Sequence, residues 1–185
     1  MTSLNELPEN LPIPEDDGAC DHLHNFSLPS VQLMATNGLL IDFSSLTSVV
    51  IYCYPMTGRP DVQLPAGWEQ IPGARGCTPQ SCSFRDHYGE LQALGTEVYG
   101  LSTQTTDYQR EAKSRLHLPF ELVSDDCFNF IKALNLPTFE VDGMILSKRV
   151  TLIARNGTIT KAFYPVFPPN RNADQVLDFL NEYNA

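Results

Sequence analysis

Two hydrophobic periods divide this chain. Val49-Val50-Ile51-Tyr52-Cys53-Tyr54 is an unbroken apolar, β-branched and aromatic run that stops at Pro55, the pattern of a strand covered on both faces. Upstream, Val31 to Met34 and Leu39 to Phe43 flank Asn37-Gly38, a dipeptide that accepts positive φ in a tight turn, which predicts a β-hairpin. Downstream, Phe84, Tyr88 and Leu91 recur at i, i+4 and i+7 behind Thr78-Pro79 and ahead of Gly95, predicting a helix over 79–94 with Thr78 as its N-cap. Glu97 to Leu101 reads as a strand, Asp107 to Leu116 as a helix, Glu121 to Ser124 as a short strand and Cys127 to Leu134 as a short helix. Arg149 to Ala154 and Thr158 to Phe163 pair as a hairpin across Asn156-Gly157. Val176, Phe179, Leu180 and Tyr183 then share one stripe of a last helix capped by Asn172. Strands and helices that alternate and close on a hairpin and a helix predict an α/β fold, a central sheet flanked by helices.

Two stretches lack either period. Residues 1–28, rich in Pro, Asp, Glu and Asn, read as an irregular arm laid over a single domain at 29–185, whose first hairpin is an N-terminal extension of the sheet. Residues 56–76 hold three prolines and four glycines and form the longest loop. Loops of that length inside a compact domain are commonly functional.

Composition narrows the partners. Twenty-two acidic against twelve basic residues give a net charge of -10, which repels phosphate backbones and anionic lipid, so neither nucleic acid nor membrane is an expected partner. No apolar run approaches the roughly 20 residues of a membrane span. The first residues lack the basic and apolar regions of a signal peptide, and a cytoplasmic location is the expectation. Five cysteines, an odd number, argue against a disulfide framework and point to metal binding or redox catalysis.

Gly76-Cys77-Thr78-Pro79-Gln80-Ser81-Cys82 puts one cysteine at the mouth of the 79–94 helix and a second five residues on, inside it. Unpaired amides and the positive end of the helix dipole stabilise a thiolate at the first position, and the Arg75 cation can add to this. Spacing alone leaves a second reading open, two half-buried structural cysteines. Elsewhere, Cys20-Asp21-His22-Leu23-His24 is too closely spaced for one tetrahedral metal site and reads as surface. Cys53 and Cys127 read as core or structural residues, Arg75 as a solvated side chain, and Arg85-Asp86 as a local ion pair near the cysteines.

Tyr54-Pro55 followed by Gly76-Cys77-Thr78-x-Gln80-x-Cys82-x-Phe84-Arg85-Asp86 closely resembles the active-site segment of Q-type peroxiredoxins, the bacterioferritin-comigratory group. The similarity runs on through Gly100-Leu101-Ser102 and Leu122-Val123-Ser124-Asp125-Asp126 to Arg149-Val150-Thr151-Leu152-Ile153. It implies a thioredoxin-like sheet and a thiol-dependent peroxidase, with Cys77 peroxidatic, Cys82 resolving and Arg149 polarising the peroxide. It also implies a hydroperoxide substrate, thioredoxin or glutaredoxin as reductant, no metal, haem or flavin, and a monomer or weak homodimer. One departure is large. The family's Pro-x-x-x-Thr-x-x-Cys has six residues between Pro and Cys, whereas 21 separate Pro55 from Cys77, an insertion of fifteen, and Ala74 stands at the threonine's place. Thr57 or Thr78 is then the candidate for the missing hydroxyl.

The implied chemistry requires motion. Residues five apart in a helix are separated by about 7.5 Å of rise, beyond the roughly 4.4–6.8 Å between Cα atoms that a disulfide tolerates, so the helix start must unwind in each cycle. Two competing functions are a thioredoxin-like disulfide oxidoreductase, which would carry a Cys-x-x-Cys that is absent here, and a non-enzymatic redox-sensing scaffold that binds a partner through 56–76.

Overall fold

The computed structural model describes Leu4 and residues 6–184. Nine strands and five helices follow in chain order: β1 Leu33–Ala35, β2 Leu40–Ile41, β3 Ser48–Cys53, α1 Cys77–Asp86, α2 Tyr88–Ala93, β4 Glu97–Ser102, α3 Thr106–Leu116, β5 Leu122–Ser124, α4 Asn129–Ala133, β6 Thr138–Val141, β7 Met144–Ser147, β8 Val150–Arg155, β9 Thr158–Phe163 and α5 Asn172–Asn184. Seven strands form one mixed sheet in the order β2-β1-β5-β4-β3-β8-β9. At its centre β3 runs parallel to β4 and antiparallel to β8. The continuous apolar run of β3 is explained by this place, since all six of its residues are buried.

The two faces of β3 feed two cores. Val50, Tyr52 and Tyr54 point into a cluster with Phe84, Leu91, Ala112, Val176 and Leu180, the inner faces of α1, α2, α3 and α5. Val49, Ile51 and Cys53 point the other way, against Phe130 and Ile131 of α4 and against Cys20, Leu23 and Leu28. Cys20 and Leu23 are therefore not surface residues, although His22 and His24 beside them are exposed. Their segment is one 3-10 turn, Asp21–Leu23.

Several boundaries differ from the sequence reading, each for a local reason. The predicted 79–94 helix starts two residues earlier and breaks in two at His87, where φ is -100 and ψ 7, next to Gly89, a residue of poor helix propensity. Its N-cap is Gly76, not Thr78, which is buried inside the first turn. Asn172 does not cap α5; it is helical itself, and its side chain is fully buried. Cys127 is exposed rather than core, in the turn before α4, because the Asp125 carboxylate there accepts from the amides of Asn129, Phe130 and Ile131 and so caps that helix. The β6–β7 ribbon was not anticipated, although Asp142-Gly143, with φ of 48 and 74, is a hairpin signal of the Asn-Gly kind.

Residues 56–76 are irregular apart from one 3-10 turn, Trp68–Gln70. They carry a small core of their own: Met56, Trp68 and Ala74 pack with Val141 and Leu146 of the ribbon. Polar ties fasten the loop to α3, with Tyr108 Oη donating to Thr57 O at 3.1 Å and Arg115 Nη2 to Gly58 O at 2.9 Å. Among the described residues no helix is long and apolar enough to cross a membrane.

Candidate active site

The site is built where the loop turns into α1. Gly76 holds φ at 110, a left-handed conformation that favours glycine, and a Cβ there would lie 2.3 Å from Pro169 Cγ and 2.9 Å from Leu7 Cδ2. Only glycine lets the chain pass this close and reverse into the helix. Cys77 is thereby the first helical residue, and among the described residues the amide of Gln80 is the first of the helix to find a backbone partner, Gly76 O at 3.0 Å. The amides before it are left for a group at the helix mouth.

Cys77 is 3% exposed and Arg149, at the foot of β8, is also 3% exposed. Arg149 Nη2 donates to Cys77 Sγ at 3.2 Å and to the carbonyls of Gly73, Ala74 and Arg75 at 3.1, 3.2 and 3.3 Å. The end of the 56–76 loop thus supplies three backbone acceptors that aim the guanidinium at the sulfur. Arg149 Nη1 donates to Gln80 Oε1, while Arg149 Nε has no partner among the described residues. Gln80 Nε2 donates onward to Asn172 Oδ1 at 2.9 Å, and Thr151 Oγ1 donates to the same oxygen at 2.7 Å. Gln80 in its motif and Asn172 before the α5 stripe are of residue types that do not signal a tertiary partner.

Cys82 lies on the second turn of α1, half-buried, and burial pushes its thiol up from the ordinary cysteine value, against the pull of the neighbouring Arg85 guanidinium. A group shifted that way is a neutral thiol near pH 7. All five cysteines are free. Arg85 and Asp86 form the expected ion pair, 2.8 Å apart, and Arg85 Nη1 also donates to Leu116 O. Beneath α1, Tyr52 stacks on Phe84 with ring centroids 4.6 Å apart and donates to Ser81 Oγ at 3.1 Å.

Above Cys77 the cavity is small. About 10 Å³ remains, room for about one water, among Met56, Leu64, Trp68, Arg75 and Thr78. Leu4, Leu64, Trp68 and Arg75 line both this cavity and an outer groove of about 1010 Å³. Arg75, expected in solvent, is 6% exposed, with Glu69 Oε1 3.9 Å from its Nε. Of the two hydroxyls considered, Thr78 borders the cysteine cavity, whereas Thr57 Oγ1 is turned to Gln104 Oε1 at 3.3 Å. No group of three or more His, Cys, Asp or Glu suited to a metal occurs among the described residues. Burial pushes the Cys20 thiol up to about 12.

A mixed sheet in this order, with a cysteine opening the helix that follows β3, has a thioredoxin-like architecture. Peroxidoxin BcpB from Mycobacterium tuberculosis shares it, with a TM-score of 0.72 at 20% identity over 88% of this chain and 98% of that one. The redoxin family model matches residues 23–177, and the chain belongs to that family. Within it, the chloroplastic peroxiredoxin Q of Suaeda salsa is 27% identical over 154 residues, 82% of this chain and 64% of that protein. Peroxiredoxin bcp1 of Schizosaccharomyces pombe is 31% identical over 137 residues, 69% of this chain and 63% of that protein. The chain thus spans somewhat less than two thirds of these relatives' length.

Proposed function

We propose that this protein is a thiol-dependent peroxidase of the Q type, with Cys77 the peroxidatic cysteine, Cys82 the resolving one and Arg149 the group that polarises the peroxide. The observation that carries the reading is the 3.2 Å contact between Arg149 Nη2 and Cys77 Sγ at the first turn of α1. Cys77 Sγ there faces a buried cation at the opening turn of α1. Attack on one oxygen of a hydroperoxide forms the S–O bond as the O–O bond breaks, and an alcohol or water leaves. The Cys82 thiol then displaces water from the Cys77 sulfenic acid to give the disulfide. The start of α1 unwinds for that step. An external dithiol, thioredoxin or glutaredoxin, takes the oxidation and restores both thiols. The unpartnered Arg149 Nε is a donor kept for the peroxide oxygens. Thr78, on the cavity wall, is the hydroxyl that stands in for the one absent at Ala74. The protein works in the cytoplasm as a monomer or weak homodimer.

Peroxide consumption by the reduced protein tests the reading. Cys77→Ser abolishes it, whereas Cys82→Ser keeps one rapid turnover and forms no internal disulfide. Equal single-turnover rates for wild type and Cys77→Ser would rule the mechanism out.

A further inference from the structure

The buried chain that leads away from Arg149 fixes its own polarity. A guanidinium only donates, so the oxygen of the Gln80 amide must face it, and the Gln80 nitrogen must then face Asn172. The Asn172 oxygen accepts there, and the Thr151 hydroxyl, donating to the same atom, holds it in that orientation. Gln80, Asn172 and Thr151 are all fully buried. Asn172 Nδ2, in contrast, has no partner among the described residues. A buried amide nitrogen left unpaired lowers stability, and an apolar side chain of similar volume would avoid that loss. Packing therefore does not explain an asparagine at this place; its oxygen does.

Gln80 also sits three residues after Cys77 and two before Cys82, inside the turn that must open for the disulfide. Opening that turn withdraws Gln80 from Asn172 and from Arg149 together. The same Asn172 oxygen thus supports the folded turn in which Arg149 meets the sulfur, and opposes its unwinding. We infer that Asn172, from the start of α5, is a positioning residue that sets the balance between peroxide attack at Cys77 and disulfide closure with Cys82. This rests on the roles proposed above for the two cysteines.

The full-length reduced protein, mixed with one equivalent of hydrogen peroxide and quenched at intervals for mass spectrometry, reports both steps: loss of the Cys77 thiol and appearance of the disulfide. For Asn172→Leu the attack slows about tenfold, the scale of one hydrogen bond supporting a charged group, while disulfide closure speeds up about fivefold, the scale of one neutral hydrogen bond. Asn172→Asp keeps an acceptor oxygen and returns both rates toward wild type. Thr151→Val, which removes one of the two donors to that oxygen, moves both rates in the same two directions by a smaller factor and covers the case in which Asn172→Leu does not fold by circular dichroism. Opposite movement of the two rates, with rescue by Asn172→Asp, supports the inference. Folded variants in which both rates fall together, or neither changes, overturn it. Cys77→Ser run alongside separates the two failures: if it still consumes peroxide the cysteine assignment is wrong, and if it is dead while the Asn172 rates match wild type, only the positioning role is lost.

Discussion

Replacing Arg149 with Ala removes the cation at Cys77 and the centre of its scaffold at once. The kinetic part follows from a single contact, the 3.2 Å hydrogen bond from Nη2 to Sγ. At 3% exposure water does little to screen it, and a hydrogen bond from a charged donor contributes about 1.5–3 kcal/mol, which slows peroxide attack by roughly 10- to 150-fold. The structural part follows from the other acceptors. Three loop carbonyls and Gln80 Oε1 lose their donor together, and at about 0.5–1 kcal/mol each after partial rehydration the variant is about 2–4 kcal/mol less stable. For a chain of this length that lowers the midpoint of thermal unfolding by about 5–15 °C without abolishing the fold. Arg149→Lys separates the two effects, since an ammonium restores the charge but lacks the planar fork that reaches sulfur, amide and carbonyls at once. It recovers part of the attack rate and little of the stability. Stopped-flow single turnovers at 25 °C, read beside circular dichroism melts, measure both. A folded Arg149→Ala variant that attacks peroxide at the wild-type rate would refute the assignment of Arg149 to the site.

Trp68, the only tryptophan, is 3% exposed, packs against Phe139 and borders the Cys77 cavity, so its fluorescence should change with the rate of disulfide formation and recover on reduction. Cys82→Ser loses that phase, and identical spectra for the reduced and the disulfide-bonded protein would show that the loop does not follow the cycle. Gly76→Ala should lower stability by about 2–4 kcal/mol, through a strained φ and the clash with Pro169, and a melting temperature within 2 °C of wild type, read against a shift of roughly 2–4 °C per kcal/mol, would contradict the geometry. The Asp17 carboxyl, held at about 2 by the Lys148 ammonium, has a folded value below its unfolded one; the tie between arm and body is present above about pH 4 and is lost as pH falls toward 2. Melts of wild type and Asp17→Asn should therefore differ at pH 6 and converge as pH falls through 2, and a difference at pH 2 as large as that at pH 6 would place the effect elsewhere.

Legibility in the sequence followed how local each cause was. The β3 run, the Asn37-Gly38 and Asn156-Gly157 hairpins and the α5 stripe are set by side-chain period and turn chemistry within a few residues; each forms, although the first hairpin is only Leu33–Ala35 with Leu40–Ile41 and Tyr183 of the stripe is exposed. Asp142-Gly143 was equally local but lay between short, half-exposed strands whose alternation is weak, and the ribbon passed unread. The spacing of Cys77 and Cys82 was legible for the same reason, as both lie on one helix. Nothing local says that Arg149 meets Cys77, 72 positions away, or that Gly73, Ala74 and Arg75 turn their carbonyls toward the guanidinium. The burial of Arg75 and the turn of Thr57 toward Gln104 are likewise tertiary, since Gln104 lies 47 positions from Thr57. Asn172 shows the limit most plainly: its residue type and its place before an apolar stripe both suggest a helix cap, and only the approach of α1 and β8 to the start of α5 makes it the acceptor for Gln80 and Thr151. Neighbours along the chain settle most of the long strands and helices and mark the reactive side chains, because periodicity and side-chain type are local properties. Tertiary structure alone decided which of those residues touch, because the donors and acceptors of a buried polar network are chosen by packing between elements far apart in sequence.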